Sequence, residues 1–150
     1  MPSLNLMVHI SSNDISEIIR HCVEETPNEA CGLLIGRGDV INSVRRARSQ
    51  IPSPFEFTME SKDILTIDQE ADTEGLEIVG LYHSHTMTEA YPSPTDVAAC
   101  PDDRWFHILI SLKERPYKVS AFRIVDRSIE EVTISLSGGG DRSQGDLWTL

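Results

Sequence analysis

The sequence of 150 residues has little cysteine and no C-x-x-C pair. Its three cysteines, Cys22, Cys31 and Cys100, are odd in number and widely spaced. That excludes a disulfide framework and points to reduced thiols in a cytoplasm. Long apolar runs are also missing. No stretch reaches the roughly 18–20 apolar residues of a membrane-spanning helix. Met1-Pro2-Ser3-Leu4-Asn5-Leu6-Met7 carries no basic segment ahead of an apolar core. The expectation is a cytoplasmic protein with no membrane partner. Basic charge is scarce: 13 Lys and Arg against 24 Asp and Glu leave a formal net charge of −11. A nucleic-acid surface needs the opposite balance, so no nucleic-acid partner is expected. What remains is an ordinary globular composition on a chain long enough for one domain with a buried core.

Residues 6–10 suit a strand. Ser11, Ser12, Asn13 and Asp14 then offer N-caps to an amphipathic helix with Ile15, Ile18, Ile19, Cys22 and Val23 on one face. Residues 29–36 read as an apolar strand with a glutamate at its entrance. Arg37-Gly38-Asp39 is the turn of a hairpin whose second strand covers 40–47. Phe55-Glu56-Phe57-Thr58-Met59 alternates, which predicts a short strand. Ser61 is placed to cap a helix over 62–73. Further strands are predicted over 76–83, 106–112, 118–125 and 129–136. Ser93-Pro94-Thr95-Asp96 has the serine N-cap, N1 proline and N3 acid of a helix start, and Cys100-Pro101 keeps that helix short. Mixed strands with about three helices predict a single α/β layered domain around one mixed sheet over residues 1–136. Residues 137–150 read as a flexible Gly/Ser-rich tail, and Leu147-Trp148-Thr149-Leu150 at its end has the chemistry of a docking anchor.

The chain's chemistry concentrates in Tyr82-His83-Ser84-His85-Thr86, followed by Ser93 and Asp96. A strand alternates faces, so His83 and His85 leave the same side of the backbone. Two imidazoles there can close on one metal ion, with Asp96 as an oxygen ligand and a position left open. That is the pattern of a catalytic zinc site, one ion per chain. Both Ser93 and Asp96 also have a purely local reading, as cap and dipole-facing acid of the helix they begin.

A metal alone does not hydrolyse an amide, because protons must leave the water and reach the departing nitrogen. Glu29 is the candidate shuttle, since it enters an apolar strand where a solvated acid has little reason to sit. Partial burial would raise its pKa toward the working range. Ser93, fixed at a helix start, can also donate to a developing oxyanion. His9, His21 and His107 lack ligand spacing and read as structural or surface residues. Cys31 reads as a small buried hydrophobe. Arg45, Arg46 and Arg48 form a basic cluster, either a solvated strand face or a docking patch for an acidic partner.

Glu29, then His83-Ser84-His85, seven residues, Ser93, two residues and Asp96 resembles the complete motif of JAMM (MPN-plus) metalloproteases. The later four positions would coincide by chance on the order of once in several thousand chains of this size. Asn28-Glu29-Ala30-Cys31-Gly32 and the residues around His83 are most similar to small prokaryotic peptidases that act on ubiquitin-fold sulfur-carrier proteins. The resemblance implies a cytidine-deaminase-like JAMM fold and zinc on His83, His85 and Asp96. It implies Glu29 as shuttle and Ser93 at the oxyanion. It further implies a partner, a ubiquitin-like sulfur carrier, cut just after its Gly-Gly to release cysteine or a short C-terminal extension. The short loop over 101–104 suggests an open groove that takes the glycine tail by strand addition. An isopeptidase that removes a ubiquitin-like modifier from lysine is the alternative enzyme, and a metal-free MPN-type binding scaffold the alternative of another class. The pattern of a zinc nucleoside deaminase, H-x-E with P-C-x-x-C, is absent. The glycine-rich tail could enter a neighbouring molecule's site as a substrate mimic, and a homodimer stays open.

Overall fold

The computed structural model describes residues 6–137 and the backbone of Leu147 and Trp148. The described elements run β1 (Met7–Ser11), α1 (Ser12–Glu24), β2 (Cys31–Arg37), β3 (Val40–Ala47), α2 (Ser61–Thr73) and β4 (Glu77–His85). They continue with α3 (Pro94–Ala98), β5 (Phe106–Ser111), β6 (Tyr117–Val125), β7 (Ser128–Ser137) and β8 (Leu147–Trp148). The mixed sheet and three helices match the expectation. The sheet goes further and closes: β5-β4-β2-β3-β1-β7-β6 form a ring, because β6 pairs with β5 on one edge and β7 on the other. β1 lies parallel to β3 and β7, and β4 parallel to β5; the other ring pairings are antiparallel. β8 pairs with Tyr117 and Lys118 at the start of β6. Apart from it and Ser137, the tail expected over 137–150 lies outside the described residues, as do residues 1–5.

Helix α1 forms where four candidate caps precede the apolar stripe. Ser11 is the one used: its Oγ accepts the Asp14 N–H at 3.0 Å. Ile15, Ile18, Ile19 and Cys22 then bury against Val8, Ile10, Leu34, Tyr82 and Ile108, the larger core. On the other face of β2 and β4, Leu33, Ile35 and Leu81 pack with Ile67 and Ala71 of α2. Each strand therefore feeds two cores by alternation, so it reads as a continuous apolar run. β4 approaches β5 so closely at Gly80 that a Cβ there would lie 2.2 Å from the Phe106 carbonyl oxygen.

Two local expectations need correction. Residues 55–59 do not form a strand; only Met59 bridges, to Ser49. The segment's pairing is confined to the stretch just past β3, where residues 48–50 meet 58–60. It forms a strap instead. Its ends are tied by Gln50 N–H to Thr58 O (2.6 Å) and Glu60 N–H to Arg48 O (2.8 Å). Its alternation is met in another way, with Phe55 in solvent and Phe57 turned inward. Ser61 does not cap α2 either. The N-cap is Glu60, whose amide is held by Arg48, so the helix begins one residue earlier and without a side-chain cap.

Candidate metal centre

β4 is bonded on both edges, with Cys31 opposite His83 on β2 and Leu109 opposite it on β5. The strand end that carries the histidines is therefore rigid. Tyr82 faces α1, while His83 follows Leu81 onto the α2 side. His83 Nε2 lies 3.7 Å and His85 Nε2 3.0 Å from the same atom, Asp96 Oδ2. That atom also accepts the Ser93 N–H at 2.9 Å, while Ser93 Oγ accepts the Asp96 N–H at 3.1 Å. The capping box and the convergence on the histidines thus use one oxygen. The two readings of Asp96 left open by the sequence are compatible.

The His85 Nδ1 lies 2.8 Å from the Glu89 carbonyl oxygen, so Nδ1 carries the proton it donates. In the neutral ring Nε2 is then bare and faces a carboxylate oxygen. Burial alone pulls the His85 pKa down, but the Asp96 and Glu89 bonds and the nearby acids hold it above its ordinary value. Burial pushes His83 down to about 4, so it is a neutral donor near pH 7. Burial would raise the Asp96 carboxyl, but its bond to His85, the field of His83 and the Ser93 N–H hold it well below the usual carboxylate range.

Glu29 precedes β2, and its N–H donates to Ser53 O at 2.8 Å. The side chain is buried, with Oε1 3.8 Å from His83 Nδ1. Neither atom has a hydrogen-bond partner. Burial pushes the Glu29 carboxyl up to about 7; His85 opposes this, and Asp96 and Glu56 add to it. An orphaned carboxylate oxygen beside convergent N and O donors is what the water of a bound divalent cation satisfies. Two donor sets share the histidines. Ligand atoms of Glu29, His83 and His85 lie within 4.8 Å of one another. Asp96, by contrast, meets the Nε2 atoms of both rings, whereas the nearest nitrogen to Glu29 is Nδ1 of His83. Both sets place the two histidines at the centre, with one carboxylate on either side.

Phe57 escaped the sequence reading. Its ring lies tilted against His83 with centroids 4.7 Å apart, and the strap carrying it, residues 51–60, is tied to the residue after β4 by Thr86 Oγ1 donating to Pro54 O at 3.1 Å. The signal was two prolines just before an F-x-F run, which favours a bent strap over a strand. An apolar cavity of about 340 Å³ continues from His83 and Asp96 between Phe57, Met59, Leu81 and Trp105. β4 is paired with β2 as far as His83 and with β5 as far as His85. The arginine cluster is neutralised within the fold: Arg45 pairs with Glu70, Arg46 with Glu24, and Arg48 with Asp63. This favours the solvated strand face over the docking patch. His21 is buried against Tyr82 (Nδ1 to Oη 2.6 Å), His107 is buried beside Cys100, and His9 is half-exposed near Asp39. Burial pushes the Cys31 thiol up to about 12, which makes it an inert buried group.

A histidine pair at the end of a central strand, answered by an acid from the next helix start, defines a JAB/MPN-type domain. The family described as prokaryotic homologs of the JAB domain matches residues 11–125, and the chain belongs to it. Over 134 residues it is 28% identical to the CysO-cysteine peptidase of Mycobacterium tuberculosis, covering 85% of this chain and 89% of that protein. Over 93 residues it is 34% identical to a desampylase of Pyrococcus furiosus, covering 62% of this chain. That match spans 65% of the desampylase, just under two thirds of its length. A solved structure from Desulfitobacterium hafniense is 30% identical with a TM-score of 0.82, covering 89% of this chain and 94% of that one. A JAB1/MPN domain protein from Archaeoglobus fulgidus, 19% identical over 88% of this chain and all of that one, shares the fold with a TM-score of 0.59. Among the described residues no helix is long and apolar enough to cross a membrane.

Proposed function

We propose that the protein is a zinc-dependent peptidase that hydrolyses the amide bond after the C-terminal Gly-Gly of a ubiquitin-fold sulfur carrier, releasing cysteine or a short extension. The observation that carries this reading is the convergence of His83, His85 and Asp96 beside a buried, partnerless Glu29 carboxyl. The two-nitrogen, one-oxygen donor set suits zinc, with His83, His85 and Asp96 as its ligands. Zinc there supplies the Lewis acid that acidifies water and polarises the scissile carbonyl. Glu29, poised near 7 by burial, takes the proton from the attacking water and hands it to the departing amine. Ser93 Oγ accepts from Asp96 N–H, which leaves its own hydrogen to donate to the carbonyl oxygen as that oxygen gains charge. Glycines on the acyl side let the substrate backbone come close beneath the strap. The peptidase named for CysO-cysteine, matched over most of both chains, supports the carrier-cysteine substrate class.

The test is cleavage of the host's own Gly-Gly carrier fused to a cysteine, followed by mass spectrometry. Expected are loss of one cysteine, inhibition by chelator, and loss of turnover in Glu29→Gln with metal retained. Turnover unaffected by chelator or by Glu29→Gln would sink the reading. The desampylase relative supports a second reading, removal of a ubiquitin-like modifier from lysine. A carrier–lysine conjugate run beside the carrier-cysteine fusion separates the two. The scaffold reading gives no reason for an acid buried without a partner beside two histidines.

A further inference from the structure

Nothing in the side-chain hydrogen bonding aims the Glu29 carboxyl. Its Oε1 is partnerless, and its nearest polar contact is His83 Nδ1 at 3.8 Å. A glutamate with three rotatable bonds and no bonded partner is placed by its backbone and packing. That backbone is tied on both flanks: the Glu29 N–H donates to Ser53 O on the strap, and the Ala30 N–H donates to Ser84 Oγ at 2.9 Å. Ser84 lies between the two histidines and is fully buried.

The β2–β4 ladder runs from Gly36 and Glu77 down to Cys31 opposite His83, and Ala30 follows opposite Ser84. There the Ser84 N–H donates to Ala30 O at 3.2 Å, but the Ala30 N–H is received by the serine hydroxyl. A side-chain oxygen thus stands in the ladder where a backbone carbonyl would serve. It displaces the chain at the residue next to Glu29 and fixes it there. Resting on the peptidase reading above, we infer that Ser84 is the positioning residue for the proton shuttle. It touches neither substrate nor metal; it sets the distance between the Glu29 carboxyl and the histidine pair. A misplacement of about 1 Å of a catalytic group costs on the order of 10²-fold in rate.

The experiment compares Ser84→Ala and Ser84→Thr with the parent on the Gly-Gly carrier–cysteine fusion, alongside zinc content and amide hydrogen exchange at Ala30. Expected for Ser84→Ala is a kcat lower by about 10- to 100-fold with KM and zinc content unchanged. The Ala30 amide exchanges at least about ten times faster. Ser84→Thr keeps the hydroxyl and recovers kcat to within a few-fold. An unchanged kcat in Ser84→Ala, loss of zinc together with kcat, or equal loss in Ala and Thr variants overturns the inference. The exchange arm needs no substrate. A parent protein that cleaves nothing overturns the peptidase reading and, with it, the role as shuttle-positioner, while unchanged Ala30 exchange overturns the clamp itself.

Discussion

Replacing Glu29 by glutamine has opposite effects on stability and on turnover. Burial lifts the carboxyl from 4.5 to about 7. In the unfolded chain the ordinary value applies, so the native state holds this proton more tightly. The stability this contributes is fully present below pH 4.5 and is lost as pH rises through 7. A rise of about 2.5 pH units, at about 1.4 kcal/mol each, makes the ionised side chain cost ~3 kcal/mol in the metal-free protein. Glutamine has the same shape and never ionises. Metal-free Glu29→Gln should therefore exceed the parent by up to ~3 kcal/mol at pH 8 and equal it near pH 4.5. With a urea slope of about 2 kcal/mol per molar, the midpoint moves by about 1–2 M. His83 and the other titrating groups are present in both proteins and largely cancel in the difference. Equal midpoints at pH 8, or a gap that grows toward acid, would refute the buried-carboxyl account. On the peptidase reading, the same change in the zinc-loaded protein removes the shuttle, and turnover should fall by about 10²–10⁴.

Asp96→Asn removes the negative charge and one of the two oxygens of the group that both Nε2 atoms face, and zinc content after dialysis should drop at least about tenfold by elemental analysis. Ser93→Ala should lower kcat by about 10²-fold with zinc retained. It should also cost ~1 kcal/mol in melting experiments through the lost cap. Tyr82→Phe leaves His21 Nδ1 buried without its 2.6 Å partner, a loss of ~1–3 kcal/mol in urea titrations with zinc content unchanged. Gly80→Ala forces a Cβ to within 2.2 Å of the Phe106 carbonyl, and should cost ~3 kcal/mol or leave the protein insoluble on expression.

Much of this was legible in the chain because the signals were local. The stripe of α1, the hairpin β2–β3 and the capping box at Ser93 depend on spacings of a few residues, and the structure contains all three. The convergence of the candidate residues was legible because two histidines on one strand face and a helix-start acid leave few other arrangements. The structure brings Glu29 to them through the β2–β4 pairing. What sequence could not show depends on partners far along the chain. Residues 55–59 alternate like a strand, yet they bridge only at Met59, to Ser49. Ring closure rests on β6 pairing with two strands, which its own alternation does not encode. The arginine cluster reads as basic until Glu24, Asp63 and Glu70 are brought beside it.

The strap and the histidine strand differ in what holds them. β4 is laced into the ring along both edges, and its glycine approach to β5 leaves no room for a side chain. The strap over 51–60 is tied by a handful of bonds, chiefly at its ends, and rests one aromatic ring on His83. Selection therefore acts on two separable parts. On the peptidase reading, drift in the strap can retune which substrate is admitted, residue by residue, while the geometry of the ring holds the histidines beneath. Across a lineage, substrate preference should change faster than metal binding, with that ten-residue loop as the place where the changes accumulate.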